Sequence, residues 1–447
     1  MKSIKNDFGF IIYYAPNMRF AYLLLLFFIF FSPGLICSEN INLFALLKQA
    51  LANNPRVKAA LKKWQADRQK VRIKKSLPDP QVKVGHYVEA VETRVGPQKK
   101  QYGFSQAFPF PGTLSLAAGV QAEKAAAKKL EYYSALNDVI RDVKIVYAEI
   151  YYIEKAIEAS ERNFAIMQNL WQEGGIEYSQ NKMDLQTYQK SLVEKAQLEF
   201  DILQLQDLKK VYLARLQALC SLENVPVLGE VILPATEPLP MLKKLLAYAM
   251  EERLEIRQAE KSKAAMGKAS RLAKKKVLPK FNFFVNYIET GESVMGGRDS
   301  GRDPLIVGLG MNLPLYAGKN RAIRRSANLE FDAAKAMLKN VQNKSESMIV
   351  ATYYRTRQSA RLYRLYKETL LPQANKAVEM AELMARGGEL PLASLTDAQI
   401  NRHNFLLAFY RAETDHFQNL ARLQHLVGGD FIPAGKKTEN KAKGGKK

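Results

Sequence analysis

Residues 305–318 read LIVGLGMNLPLYAG, and the spacing within this stretch decides the fold. Leu305, Val307, Leu309, Met311 and Leu313 recur at every second position, so an extended chain points them all to one side. Ile306, Gly308, Gly310 and Asn312 face the other way, giving a second side that is mostly small or polar. Pro314 and Gly318 close the strand. Tyr102, Phe104 and Phe108 form a similar face opposite Gly103, Ser105 and Ala107, and FPFPG at 108–112 closes that strand. Phe281, Phe283, Val285 and Tyr287 carry a third apolar face. Strands of about 9–11 residues with one apolar side and aromatics near their ends suit an outer-membrane β-barrel. A soluble antiparallel sheet with one buried face fits the alternation equally well.

Working outward, the chain reads twice. Leu77-Pro78 ends a basic helical stretch and opens the strand PQVKVGHYV, as Leu278-Pro279 does before KFNFFVNYI. ARLQAL at 214–219 returns as ARLQHL at 421–426. The separations are 201 residues at the first proline pair and 207 at the ARLQ pair, so a unit of about 200 residues occurs in two copies. Each copy is expected to run helix, strand, strand, then two very long helices. The expected boundaries are 41–230 for the first repeat and 240–430 for the second. No proline lies between Gly112 and Val225, and helix formers there fall at helical spacing. Leu114 to Glu173 would then span roughly 90 Å, and Lys319 to Arg386 roughly 100 Å with a bend at Pro372. These are coiled-coil lengths. The loops at 91–100 and 289–303 are polar and glycine-bearing, as external loops should be.

FAYLLLLFFIFF at 20–31, preceded by Lys2, Lys5 and Arg19, reads as a cleaved secretory leader, expected to take in residues 1–38, with an uncleaved anchor as the alternative. Met18-Arg19 gives a tidier start than Met1. Cys37 invites lipidation, but Ile36 stands where a small residue is expected, so ordinary cleavage near Ser38 is the better reading. Export weakens nucleic acid as a partner despite a net charge of +23. Lysines at 436–447 concentrate charge in a glycine-bearing tail over 431–447, expected to be disordered. With Cys220 the only other cysteine and four scattered histidines, no disulfide framework, CxxC site or His-built metal centre is expected. No nucleophile elbow, phosphate loop, HExxH or paired-acid constellation occurs, so neither an enzyme nor a cofactor is expected.

Four strands cannot close a membrane barrel, and open sheet edges are not tolerated in lipid. If the strands span a membrane, several chains must share one barrel, with the helices continuing from it as a tube.

This plan resembles the TolC-like outer-membrane efflux channels over nearly all of residues 41–430. Leu370-Leu371-Pro372-Gln373-Ala374 is similar to a stretch that recurs in the family. The glycine turn at Arg386-Gly387-Gly388 before LTDAQ (395–399) and the ending ARLQHLVGG (421–429) are similar to family patterns too. The resemblance implies an α+β membrane protein: an internally duplicated chain whose long antiparallel coiled-coil helices form a periplasmic tunnel. It also implies four β-strands per chain in a shared trimeric transmembrane β-barrel. The implied partners are two further copies of the chain, a periplasmic adaptor, an inner-membrane transporter and outer-membrane lipid.

In such channels the inner helix ends narrow to a gate held by ion pairs and lined by carboxylates. The resemblance places an aperture carboxylate at Asp397, nine residues after Gly388, while Ser394 stands where a second is often found. Arg386, Glu173, Glu177 and Asp184 lie near the tips as possible gate partners; a solvated helix face is the alternative for all five. Gly174, Gly175, Gly387 and Gly388 are the expected hairpin tips and adaptor contacts. Trp171 and Gly174 stand in for the family's aromatic-to-glycine tip pattern in the first copy, and the second copy lacks it. The glycine pairs lie 213 apart against 207 for ARLQ, so a tip over Tyr178 to Asn181 is the competing register. The expected function is a passive outer-membrane exit duct of a tripartite efflux or type I secretion system, for small molecules, metal ions or polypeptides. The rival is an exported periplasmic coiled-coil scaffold or adaptor that spans no membrane.

Overall fold

The computed structural model describes residues 42–180, 183–236 and 238–429; the expected leader, Cys37 and the basic tail lie outside the described residues. In chain order the elements are α1 (Leu43–Asn53), α2 (Pro55–Lys75), β1 (Gln81–Val91), β2 (Gln98–Phe108), α3 (Thr113–Ser179) and α4 (Leu185–Cys220). The second half repeats them as α5 (Leu242–Glu252), α6 (Leu254–Lys276), β3 (Phe281–Thr290), β4 (Leu305–Met311), α7 (Ala317–Leu365), α8 (Leu371–Arg386) and α9 (Leu392–Val427).

The 67 residues of α3 form one helix, about 100 Å long at ~1.5 Å per residue. Its counterpart is interrupted by a π-helical turn, Tyr366–Leu370, between α7 and α8. Pro372 explains the interruption, because its ring clashes with the carbonyl four residues back and it offers no N–H. A wider turn just before it absorbs that conflict and lets the helix run on.

The opening helix of each repeat is split, where the sequence pattern suggested one. Asn54 ends α1 and caps α2: its Oδ1 accepts from the Arg56 N–H at 2.9 Å, and its Nδ2 donates to the Leu219 carbonyl at 2.9 Å. Pro55 then occupies the first helical position, where a missing N–H costs nothing. The second repeat breaks at Arg253, which has the same extended backbone and is buried.

The two repeats also build matching cores, one in each. Leu46, Ala50, Leu216 and Cys220 are fully buried in the first, packed with Val143, Val146 and Ile150 of α3. Leu245, Ala249, Leu423 and Val427 take the corresponding places in the second, packed on Ile349 of α7. Each short helix thereby seals the end of a long hairpin. Burial leaves the Cys220 thiol a small hydrophobe, its pKa pushed up to about 11.

The four strands form one antiparallel sheet in the order β1-β2-β3-β4. Its register aligns Val82, Phe104, Val285 and Val307 in one row, and Val84, Tyr102, Tyr287 and Leu305 in the next. Nearer the helices, Phe108, Phe281 and Met311 make a third row. The three apolar faces expected from alternation are therefore a single face. Gln106 interrupts it, and its amide is satisfied by the Pro78 carbonyl at 2.8 Å. The opposite face carries Gly103 beside Asn286, Ser105 beside Phe284, and Ala107 beside Asn282. Strand β4 stops at Met311, two residues before the last alternating position, Leu313, but Asn312 still pairs with Lys280 through its side chain, at 2.7 Å from the Lys280 N–H. Both outer edges, β1 and β4, have no strand beside them among the described residues.

Helices α2, α3, α6 and α7 lie side by side in that order beneath the sheet, and α3 also packs on α4 and α9. Glu123 of α3 ties this layer together, accepting from Lys268 at 2.7 Å and facing Lys261 at 3.5 Å, both on α6. The Lys268 hydrogen bond holds the Glu123 carboxyl below its usual range. Among the described residues no helix is long and apolar enough to cross a membrane.

Candidate functional site at the hairpin tips

The two long hairpins, α3/α4 and α8/α9, reverse at the end of the molecule away from the sheet. In the second, Gly387 caps α8 and Gly388 takes φ +75°, a conformation open to glycine without strain. The turn closes with Gly388 N–H on the Ala385 carbonyl and Glu389 N–H on the Met384 carbonyl, both at 3.0 Å. In the first hairpin the helix runs straight through Gly174 and Gly175 and ends at Ser179. The glycine pair is therefore not the reversal; the 207-residue register, which aligns Gln180 with Gly387, describes it. Asn181 lies outside the described residues. Gly174 instead faces the returning chain, with Met183 and Leu392 side chains within 4 Å of where its Cβ would be. Tyr178 and Tyr188 stack at 4.9 Å with planes 5° apart, locking the first tip.

Asp397 sits one turn into α9, more than half exposed, and accepts from Lys190 of α4 at 3.1 Å. Lys190 also faces Glu194 at 3.6 Å. The Asp397 hydrogen bond, reinforced by both negative charges, raises the Lys190 pKa. Trp171, Met183, Thr187, Leu392 and Thr396 line the cleft beneath this pair, so it bridges the two hairpins at their tips.

The other expected gate residues are placed differently. Asp184 caps α4, accepting from the Thr187 N–H at 2.9 Å and its hydroxyl at 2.7 Å. Those two bonds hold its carboxyl below the usual range. Arg386 ends α8, while Glu173 and Glu177 lie on the last turns of α3; none of the three has an ion-pair partner among the described residues. The structure thus brings Asp397 together with Lys190, which the sequence reading did not single out. The signal was present: 190 and 397 are separated by the same 207 residues as the two ARLQ motifs. Among the described residues no group of three His, Cys, Asp or Glu could hold a metal ion.

Residues 245–429, which span most of the second repeat, match the family model of outer membrane efflux proteins. No curated protein matches the chain in sequence. Its fold is that of the outer membrane protein VceC of Vibrio cholerae, at 18% identity and TM-score 0.69 over 87% of this chain and 97% of that one. The open-state MtrE outer membrane channel of Neisseria gonorrhoeae shares 17% identity at TM-score 0.73, covering 87% of this chain and 89% of its own. The CmeC outer membrane channel of Campylobacter jejuni shares 15% at 0.71, over 88% and 86%.

Proposed function

We propose that three copies of this chain form the passive outer-membrane exit duct of a tripartite efflux or type I secretion system. The observation that carries the reading is the sheet: one face carries apolar rows across all four strands, broken by Gln106, while β1 and β4 have no strand beside them among the described residues. Lipid accepts the apolar face but not the edges, so β4 of one copy must pair with β1 of the next until the barrel closes. The polar face then lines a water-filled lumen, and the helices extend it into the periplasm. An adaptor would dock at the hairpin tips, where Gly387 and Gly388 expose the turn, and an inner-membrane transporter would load the duct.

Asp397 is the gate residue of this reading, and Lys190 is its tether. With both hairpins of every chain tied, the tips stay gathered; breaking the tie lets α8/α9 swing outward. The mass of the detergent-extracted particle tests the assembly: three chains of 50.6 kDa give roughly 150 kDa. Recovery as a monomer or dimer without detergent would instead establish the periplasmic scaffold. For the gate, Asp397→Ala should raise single-channel conductance and the open fraction in planar bilayers, and Lys190→Ala should do the same. Unchanged openings in both variants would remove the pair from the gate.

A further inference from the structure

The charge of this chain is concentrated where helices meet sheet. The segments 72–80, 109–118, 271–280 and 312–325 make the four junctions, and they hold twelve basic side chains against one carboxylate, Asp79. That is nearly half of the net +23, gathered in one plane. The last turn of α2 contributes Arg72, Lys74 and Lys75, and that of α6 contributes Lys274, Lys275 and Lys276. The start of α7 adds Lys319, Arg321, Arg324 and Arg325. The junctions touch one another: Lys275 donates to the Pro111 carbonyl at 3.3 Å and lies over the Phe110 ring at 5.0 Å.

None of these twelve cations is ion-paired among the described residues, whereas further along the helices Lys128, Lys155, Lys209, Lys268 and Lys335 each hold a carboxylate within 3.0 Å. Helix dipoles explain part of the pattern, since cations are favoured at the ends of α2 and α6. They cannot explain α7, where four cations occupy the first turns and no acidic residue offsets the positive end of the dipole. The layer order α2-α3-α6-α7 sharpens the problem. Closing a ring of copies sets the cationic end of α7 against the cationic end of α2 in the neighbouring chain. Large apolar side chains are interleaved in the same plane: Leu315 is 79% exposed and Tyr316 77%, with Ile73, Leu77 and Leu313 beside the cations in sequence. A wet lumen gives such residues no partner, but a bilayer interface does, taking aromatic and aliphatic groups at headgroup level with lysine and arginine on the phosphates.

We propose that this collar binds the phosphates of anionic phospholipids in the leaflet facing the helices, and that these headgroups bridge the seams between copies. The inference rests on the outer-membrane reading above and adds a specific lipid requirement to it. The test uses the full-length protein in neutral detergent, with phosphatidylglycerol or phosphatidylcholine added to the micelles. Native mass spectrometry reads retained lipid, and heating reads dissociation of the trimer. The wild type should retain phosphatidylglycerol in about tenfold preference and dissociate at a higher temperature with it, both effects fading in high salt. Lys274→Gln/Lys276→Gln/Arg324→Gln/Arg325→Gln should lose the preference, while Lys339→Gln, further along α7, should keep it. Equal retention of the two lipids, or a preference intact in the quadruple variant, overturns the proposal. So does a quadruple variant that shifts the anion-to-cation reversal potential while still selecting phosphatidylglycerol, because the charges would then line the lumen. A protein that needs no detergent at all would overturn the membrane reading itself, a result separate from these.

Discussion

Gly308 offers a test of the sheet in which the sign of the effect is at stake. It lies opposite Phe284 in the β3–β4 register, on the face assigned to the lumen. A Cβ built there would stand 2.2 Å from Phe284 Cζ and 2.7 and 2.8 Å from the two Cε atoms, so the ring covers the glycine and cannot stay if a methyl is added. Away from such a ring, Gly→Ala within a strand should stabilise by about 0.5–1 kcal/mol, because glycine loses more backbone freedom on folding. Overpacking costs about 1–3 kcal/mol. Gly308→Ala should therefore destabilise each chain by roughly 1–2 kcal/mol in the wild type, with the displaced ring pushed into the lumen and conductance lowered. In a Phe284→Ala background the same change should stabilise. The coupling, roughly 1.5–3 kcal/mol, is read from a double-mutant cycle on thermal unfolding in detergent. Stabilisation by Gly308→Ala in both backgrounds would refute the register and the placement of the ring. An unchanged conductance alongside the expected coupling would put this face outside the pore.

Ile150 is fully buried at the seal between α1, α3 and α4, so Ile150→Ala should cost about 2–5 kcal/mol in urea unfolding and loosen the first repeat before the second. Acid should weaken the helical region. Burial holds the His403 and His416 pKa values below normal, the first with its Nε2 3.4 Å from the Ser160 hydroxyl. Their contribution is complete above the unfolded value near 6.5 and is lost as pH falls below it, since the unfolded chain then binds protons that the native one refuses. The loss is at most about 1.4 kcal/mol per histidine for each pH unit. Thermal melts at pH 7.5 and 5.5 should differ less for His403→Gln/His416→Gln than for the wild type.

Much of this architecture could be read from single residues, and the misses have physical causes. Alternation in LIVGLGMNL gave the sheet face because a strand has a fixed period of two. The absence of proline from Gly112 to Val225 gave the long helices, and Pro372 marked the interruption, although its form as a π turn depends on packing around it. The break at Asn54-Pro55 was available as a capping signal followed by proline at the first helical position. Its counterpart at Arg253 was not, because no local breaker stands there. The last turn of α9 presses on that junction instead, with the Glu252 carbonyl 3.2 Å from where a Gly428 Cβ would be. The first hairpin tip misled through composition: Gly174-Gly175 looks like a turn, yet helix runs through it because neither glycine adopts a positive φ.

Duplication explains why the tip pair escaped a motif-based reading and why it can act as a tether at all. Positions 190 and 397 are related by the same offset as the two ARLQ motifs, so in an undiverged repeat they would carry one residue type. Two lysines facing each other would push the hairpins apart, and two aspartates would do the same. Only after one copy became Lys190 and the other Asp397 could the hairpins of a single chain hold each other at 3.1 Å. The caps diverged in parallel: Asp184 starts α4 with two hydrogen bonds to Thr187, whereas Pro391 starts α9 with no side-chain bond. The helix that leaves the first turn is thereby capped by a side chain, and the one that leaves the second is not. In the gate proposed above, α8/α9 is therefore the pair expected to swing once the tie is broken. Charge-reversing both partners, Lys190→Asp with Asp397→Lys, should then restore the closed state that either single reversal abolishes.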